Sequence, residues 1–396
     1  MWVRNTASKR VPLKRRCGSP GNKKRDPFHP RTQHRMASIN AEGHPDRYRH
    51  ATMISPSAPL TDAQRNSVTQ FRTALISSFV TPPSTAESLD ERGRRPDPEH
   101  IPADVTVHIE IAPPSTQPHP LLDNSLLKTP ERVPIYFFAL RPESESDVPR
   151  ATTRVIFFIH GGGNIVGHPT NPPFLQFYMQ LLRAIAASGD SATRCVLVAP
   201  CYRLATVPEN VFPAALQDLV AAYDHVLGMG YDASNIVIAG DSAGGNHAIV
   251  LTHLVLQSSR PSPRSVIAIA PSAILSYDDL SAYARAQADK DIFDVPTLKL
   301  MRNMYVGDSG VSRMDPLVSG ALVPFAASWP RTLILVGTAD HLIDGSRELE
   351  KRLKAVGRPV ELVEYDERPH GWWVMPNIFP ENIQDAVQRM AQFVLH

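Results

Sequence analysis

Hydrophobic residues in this chain fall into short continuous runs separated by helix-period stretches. Ile236 to Ala239 is unbroken and reads as a strand buried on both faces of a parallel sheet. Cys195–Ala199, Ser265–Ala270, Thr332–Val336 and Val360–Tyr365 read as further strands, and Thr153–Ile159 is apolar enough to be expected at the centre. Val105–Ile111 alternates apolar and polar, as a half-exposed antiparallel edge strand does, and Val133–Leu140 is a second strand. Helical patterns occupy Phe174–Ala187, Pro213–Leu227, Ala243–Leu256, Ser346–Val356 and Pro380–Val394. Two antiparallel strands followed by β-α alternation predict an α/β fold, an eight-stranded, mostly parallel sheet with helices on both faces. Ahead of it, Thr61-Asp62 caps a predicted helix running to about Phe79, with Val68, Phe71, Leu75 and Ile76 at helical spacing. Pro82, Pro83 and a polar run to Pro102 then interrupt.

Charge divides the chain unevenly. Residues 1–36 hold eleven Lys and Arg against Asp26 alone, so a segment of +10 precedes a body of −8 within a net charge of +2. Residues 1–40 have few apolar side chains and cannot bury a core, so a disordered basic tail is expected there. Lys9-Arg10 to Arg16 with Lys23-Lys24-Arg25 also fits a nuclear address or a polyanion-binding arm, and an Arg-rich start fits a transit peptide lacking its apolar face. Met36-Ala37-Ser38 would make a natural start for a shorter chain. No secretory apolar run stands near the start and no stretch of 18 apolar residues occurs, so a cytoplasmic protein without a membrane span is expected, with nuclear or organellar targeting open. Cys17, Cys195 and Cys201 make no disulfide framework, and Cys195 and Cys201 stand about 20 Å apart if both lie on one strand. No Cys/His spacing suggests a metal site, and no cofactor is expected.

The predicted strand before Gly240 runs into Gly240-Asp241-Ser242-Ala243-Gly244, which fits G-x-S-x-G, and then into a helix. A serine there is held on a sharp strand-to-helix turn, its hydroxyl clear of the sheet and the helix N-terminus facing a developing anion. After Ile159 comes His160-Gly161-Gly162-Gly163. Bare glycines leave backbone N–H groups open to an anion. A phosphate cradle would need a different spacing, and Val166 stands where G-x-G-x-x-G requires glycine. An oxyanion hole is the better reading of this loop.

These two motifs, with Tyr202-Arg203-Leu204-Ala205 and Phe212-Pro213-Ala214-Ala215-Leu216, resemble the hormone-sensitive-lipase-like branch of the α/β-hydrolase superfamily, from about residue 105 to the C-terminus. The resemblance implies Ser242 as nucleophile, oxyanion amides from Gly162, Gly163 and Ala243, and a helical cap. It divides the chain into 1–40, a tail; 41–104, an N-terminal cap segment and linker; and 105–396, the catalytic domain, with a second cap segment at 275–308. Following the chain order Ser, acid, His, Asp340 ends a predicted strand and His370 lies in the short loop after the last one. Asp344 is the rival acid, and it more resembles a helix N-terminal residue. His160 is expected to buttress the glycine loop rather than to transfer protons.

Two departures stand out: Asn164 follows the glycines where the family commonly has an aromatic residue, and the Ala205–Phe212 stretch is about two residues longer. Tyr283, Phe293, Leu300, Met301, Met304 and Tyr305 form either a core stripe or a pocket wall. The expected activity is hydrolysis of a small or medium carboxylic ester by Ser242, His370 and Asp340. An acyltransferase or lactonase would use the same triad, and a ligand-binding receptor without catalysis is known on this scaffold. The expected partner is a small-molecule ester; no nucleic acid is expected, and oligomeric state is not legible.

Overall fold

The structure, a computed structural model, describes residues 52–55, 59–79, 85–115, 119–141, 149–189, 194–287 and 289–396. The expected basic tail and Cys17 lie outside the described residues. In chain order the strands are β1 (Thr52–Ser55), β2 (Val105–Ala112), β3 (Val133–Leu140), β4 (Arg154–Ile159), β5 (Cys195–Pro200), β6 (Ile236–Asp241), β7 (Ser265–Ile269), β8 (Arg331–Gly337) and β9 (Val360–Tyr365). The helices are α1 (Asp62–Phe79), α2 (Leu89–Arg92), α3 (Pro172–Ser188), α4 (Ala214–Gly228), α5 (Ala243–Leu256), α6 (Ala282–Arg285), α7 (Val295–Val306), α8 (Ile343–Ala355) and α9 (Pro380–Leu395).

Among the described residues one sheet carries all the strands in the order β1-β9-β8-β7-β6-β4-β5-β3-β2. It is therefore nine-stranded, one strand more than the pattern predicts. The addition is β1, which pairs parallel with β9 from Thr52↔Leu362 to Ser55↔Tyr365. Four residues carry no readable alternation, and their pairing spans some 300 positions, so local pattern could not find them. The segment 41–104 thus contributes a strand to the sheet as well as α1. The antiparallel β2–β3 and β3–β5 pairs close the other side.

Strands β4, β6 and β7 are buried almost throughout, which explains their continuous apolar runs. Helices α3 and α9 pack together, as do α4 and α5, covering the two faces. The chain runs from β4 outward to β5 and then returns to β6 on β4's other side. This reversal sets the carboxyl ends of β4 and β6 side by side, with Ile159 opposite Gly240, and opens a crevice between their loops. Cys195 and Cys201, the thiols among the described residues, are unbridged, and burial pushes Cys201 up to about 12, leaving it an inert core thiol.

The Tyr202-Arg203 motif serves this architecture. Arg203 donates from Nε and Nη2 to Asp218 on α4 at 2.8–3.0 Å, and Arg92 of α2 reaches the same carboxylate at 3.2 Å. All three side chains are at most 2% exposed. Asp218→Ala would leave two buried guanidinium groups facing each other with only the half-exposed Glu131, at 3.1 and 3.7 Å, as counter-charge. We expect a loss of about 3–5 kcal/mol, read as a lower denaturation midpoint at unchanged m-value.

Candidate active site

At the carboxyl end of β6 the backbone turns abruptly, and Ser242 sits at φ 54°, ψ −120°. Such a conformation is strained for a residue with a Cβ and survives only where its surroundings over-determine it. The fixings are visible: Ser242 N–H donates to Ile269 O at 2.8 Å, and Ser242 O accepts from Ser272 N–H at 3.0 Å. Gly244 is required by contact, because a Cβ there would stand 2.0 Å from the Ile159 carbonyl oxygen. The elbow therefore lies directly on the end of β4.

The residue between Gly240 and Ser242 ties the elbow to the glycine loop. Asp241 Oδ1 accepts from Gly161 N–H at 2.8 Å, and burial pushes this carboxyl up to about 7. Beyond Gly161 the loop takes positive φ at Gly162 (114°), Gly163 (61°) and Asn164 (66°). Among the described residues no acceptor takes the amides of Gly162, Gly163 or Ala243, and a turn of this kind leaves such amides open to an anion. His160 stacks on Tyr202 with ring centroids 4.4 Å apart, and its Nδ1 lies 2.8 Å from Gly161 O. Burial lowers it to about 4, so it stays neutral and supports the loop from behind.

Ser242, His370 and Asp340, far apart in sequence, meet here. Ser242 Oγ lies 2.9 Å from His370 Nε2, and His370 Nδ1 lies 2.9 Å from Asp340 Oδ2. Asp340 is wholly buried after β8, and its second oxygen accepts from Leu342 N–H at 2.7 Å. Burial first, opposed by His370, raises the Asp340 carboxyl. For His370 burial acts downward, but the Asp340, Asp291 and Asp241 carboxylates outweigh it and raise the imidazole above its ordinary value. Asp344 is absent from this group. It stands in the first turn of α8 and accepts from Ser281 N–H and Oγ–H at 2.8 and 2.7 Å.

Two residues that sequence reasoning missed support the arrangement. Asp291, in the 275–308 segment, is 1% exposed. Its Oδ1 accepts from His370 N–H at 2.7 Å, and its Oδ2 from His341 N–H at 2.8 Å with His341 Nδ1 at the same distance. One carboxylate thus fixes the loops that carry both His370 and Asp340. His247 on α5 holds the Asn164 side chain through Nε2 and Oδ1. No periodicity marks Asp291, and α5 is buried all round, so His247 looked like one more core position.

The cleft at Ser242 is small, about 20 Å³, and is lined by Asn164, Tyr277, Phe293, Leu298, Met301 and Arg302 among others. Phe293 and Met301 belong at once to the core and to this wall, so both readings of the aromatic stripe apply; Tyr283 and Leu300 point outward instead. Among the described residues no group of three or more His, Cys, Asp or Glu side chains is placed to hold a metal. Among the described residues no helix is long and apolar enough to cross a membrane.

The sequence profile of the α/β-hydrolase fold family matches residues 156–374. An acetyl-hydrolase of Streptomyces hygroscopicus is 33% identical over 59% of this chain and 72% of its own. The esterase LipI of Mycobacterium tuberculosis is 27% identical over 58% of this chain and 69% of its own. A crystal structure of the hormone-sensitive-lipase homologue EstE7 from a metagenome library superposes with a TM-score of 0.60 at 25% identity, covering 84% of this chain and 95% of that one.

Removing the Asp291 carboxylate frees the His370 backbone. We expect Asp291→Ala to slow fluorophosphonate labelling of Ser242 on the order of a hundredfold, from a displacement of about 1 Å. Asp291→Asn, which keeps one acceptor, should lose less.

Proposed function

Since this chain belongs to the α/β-hydrolase fold family, in its branch of hormone-sensitive-lipase-like esterases, and is a serine ester hydrolase, we propose that Ser242, His370 and Asp340 carry its chemistry on a small ester. The observation that carries this reading is the unbroken chain of two 2.9 Å contacts from Ser242 Oγ through the His370 ring to Asp340.

Ser242 Oγ attacks the ester carbonyl while His370 Nε2 takes its proton. Asp340 keeps the imidazole in the Nδ1–H tautomer and stabilises the imidazolium. The oxyanion forms where the amides of Gly162, Gly163 and Ala243 converge, and each such donor contributes about 3–4 kcal/mol in the transition state. His370 then protonates the leaving alcohol. Water, deprotonated by the same ring, opens the acyl-enzyme and returns the serine. Asp241, Asp291 and His160 hold these groups without touching the reacting atoms.

Short-chain p-nitrophenyl esters test the proposal. We expect turnover by the native protein and its loss in Ser242→Ala; activity surviving that substitution would refute the mechanism. The pH profile tests the base. His370 works only when neutral and its proton affinity is raised, so kcat/KM should fall on the acid side with a midpoint above 6.5. Asp340→Asn removes the carboxylate that raises it, and the residual activity should keep its base neutral to lower pH.

A further inference from the structure

The cleft around Ser242 contains a charge that ester hydrolysis itself does not use. On α7, Leu298, Met301, Arg302 and Tyr305 recur at three- and four-residue spacing and form the buried face. Apolar or aromatic side chains suit that face. Arg302 does not, yet it is 7% exposed and lines the same cleft as Ser242, Asn164 and Tyr277. Taking a guanidinium out of water costs several kcal/mol unless a matched anion faces it.

The contacts of Arg302 do not supply that match. Nε and Nη2 donate to the neutral Asn303 Oδ1 at 3.1 and 2.9 Å, and Nη1 stands 3.5 Å from the Leu275 carbonyl. The carboxylate it faces, Asp278, is 3.6 Å from Nη1, longer than a good charge-assisted hydrogen bond. Asp278 is also committed elsewhere: Lys299 approaches it at 2.6 Å, and Arg313 is closer still. One half-exposed carboxylate therefore serves three cations, and the buried one, Arg302, stands furthest from it. Burial first, and then the charge of Arg313, lower the proton affinity of Arg302, as expected of an under-neutralised guanidinium.

A second donor stands on the cleft wall. Asn164 Oδ1 is engaged by His247 Nε2, whose Nδ1 has no partner among the described residues. An unprotonated Nδ1 forfeits only an acceptor, whereas the reverse amide orientation would bury an unpaired ring N–H, so Oδ1 faces His247. Asn164 Nδ2 is then a donor that no acceptor among the described residues takes.

Building on the ester-hydrolase reading, we propose that this site selects esters bearing a carboxylate a few bonds from the reacting carbonyl, with Arg302 as the residue that binds it. A planar guanidinium meets a carboxylate in matching fork geometry, and bound substrate supplies the counter-charge that Asp278 does not. The carboxylate can lie on the acyl or the alcohol half of the ester, and the two placements call for separate substrates.

The test compares matched pairs on the full chain, with acid release as readout. Monoethyl succinate against ethyl butyrate places the charge on the acyl half; acetoxyacetate against propyl acetate places it on the alcohol half. We expect kcat/KM to favour the anionic member of one pair by about ten- to hundredfold, and Arg302→Gln to bring that ratio towards unity, with Arg302→Lys between. Succinate should inhibit ethyl butyrate turnover by the native protein more strongly than succinamide does, a measurement that needs no variant. Preference for the neutral member of both pairs, an unchanged ratio in Arg302→Gln, or equal inhibition by succinate and succinamide would each overturn the proposal. Failure of the ester-hydrolase reading looks different: no ester of either kind is turned over, and Ser242 takes no fluorophosphonate.

Discussion

The site depends on one close approach of backbone to backbone. The elbow after β6 rests against the end of β4 so tightly that Gly240 and Gly244 leave no space for a methyl group between them and the Ile159 and His160 carbonyls. That approach brings Asp241 within reach of Gly161 N–H and holds the glycine loop beside the serine. Nucleophile and anion-binding amides are therefore positioned by a steric fit, which the strained Ser242 backbone shares. Strain of this kind persists only inside a rigid frame, and β4, β6 and β7, buried almost throughout, supply it.

Around His370 the governing term is electrostatic. Asp340, Asp291 and Asp241 all lie in its neighbourhood, and all three act to favour the protonated ring against the cost of burial. Each is spoken for: Asp340 by the ring and Leu342 N–H, Asp291 by the backbone amides of Ile292, His341 and His370 and by the His341 ring, Asp241 by Gly161. The carboxylates that stabilise an imidazolium are thus the same groups that fasten the surrounding loops. Geometry and basicity share their supports, and a change at one disturbs the other.

Much of this was legible in the sequence because much of it is local. Strand β3 and helix α5 carry in their own runs and spacings the bounds they take in the structure. Ser242, Asp340 and His370 could be picked out by their position after predicted strands, since a sheet of this topology gathers such ends on one rim. What escaped was non-local. Asp291 reaches residues 50 and 79 positions away, and nothing around it distinguishes a clamp from a surface turn. His247 and Arg302 sit on helix faces whose pattern says only that they are buried. The strand β1 was invisible because four residues declare themselves only through a distant partner.

That strand bears on how the molecule meets its own copies. Parallel sheets end in rows of unsatisfied peptide groups, and such rows invite edge-on association. Here β1 occupies the outer flank of β9 and, being four residues long, offers little template for continued growth. On the opposite flank β2 presents Thr106, His108 and Glu110 along its solvent face, polar side chains that discourage a second chain from docking. A nine-stranded sheet is thereby terminated at both ends by devices that an eight-stranded one, with β9 bare, would lack on one side.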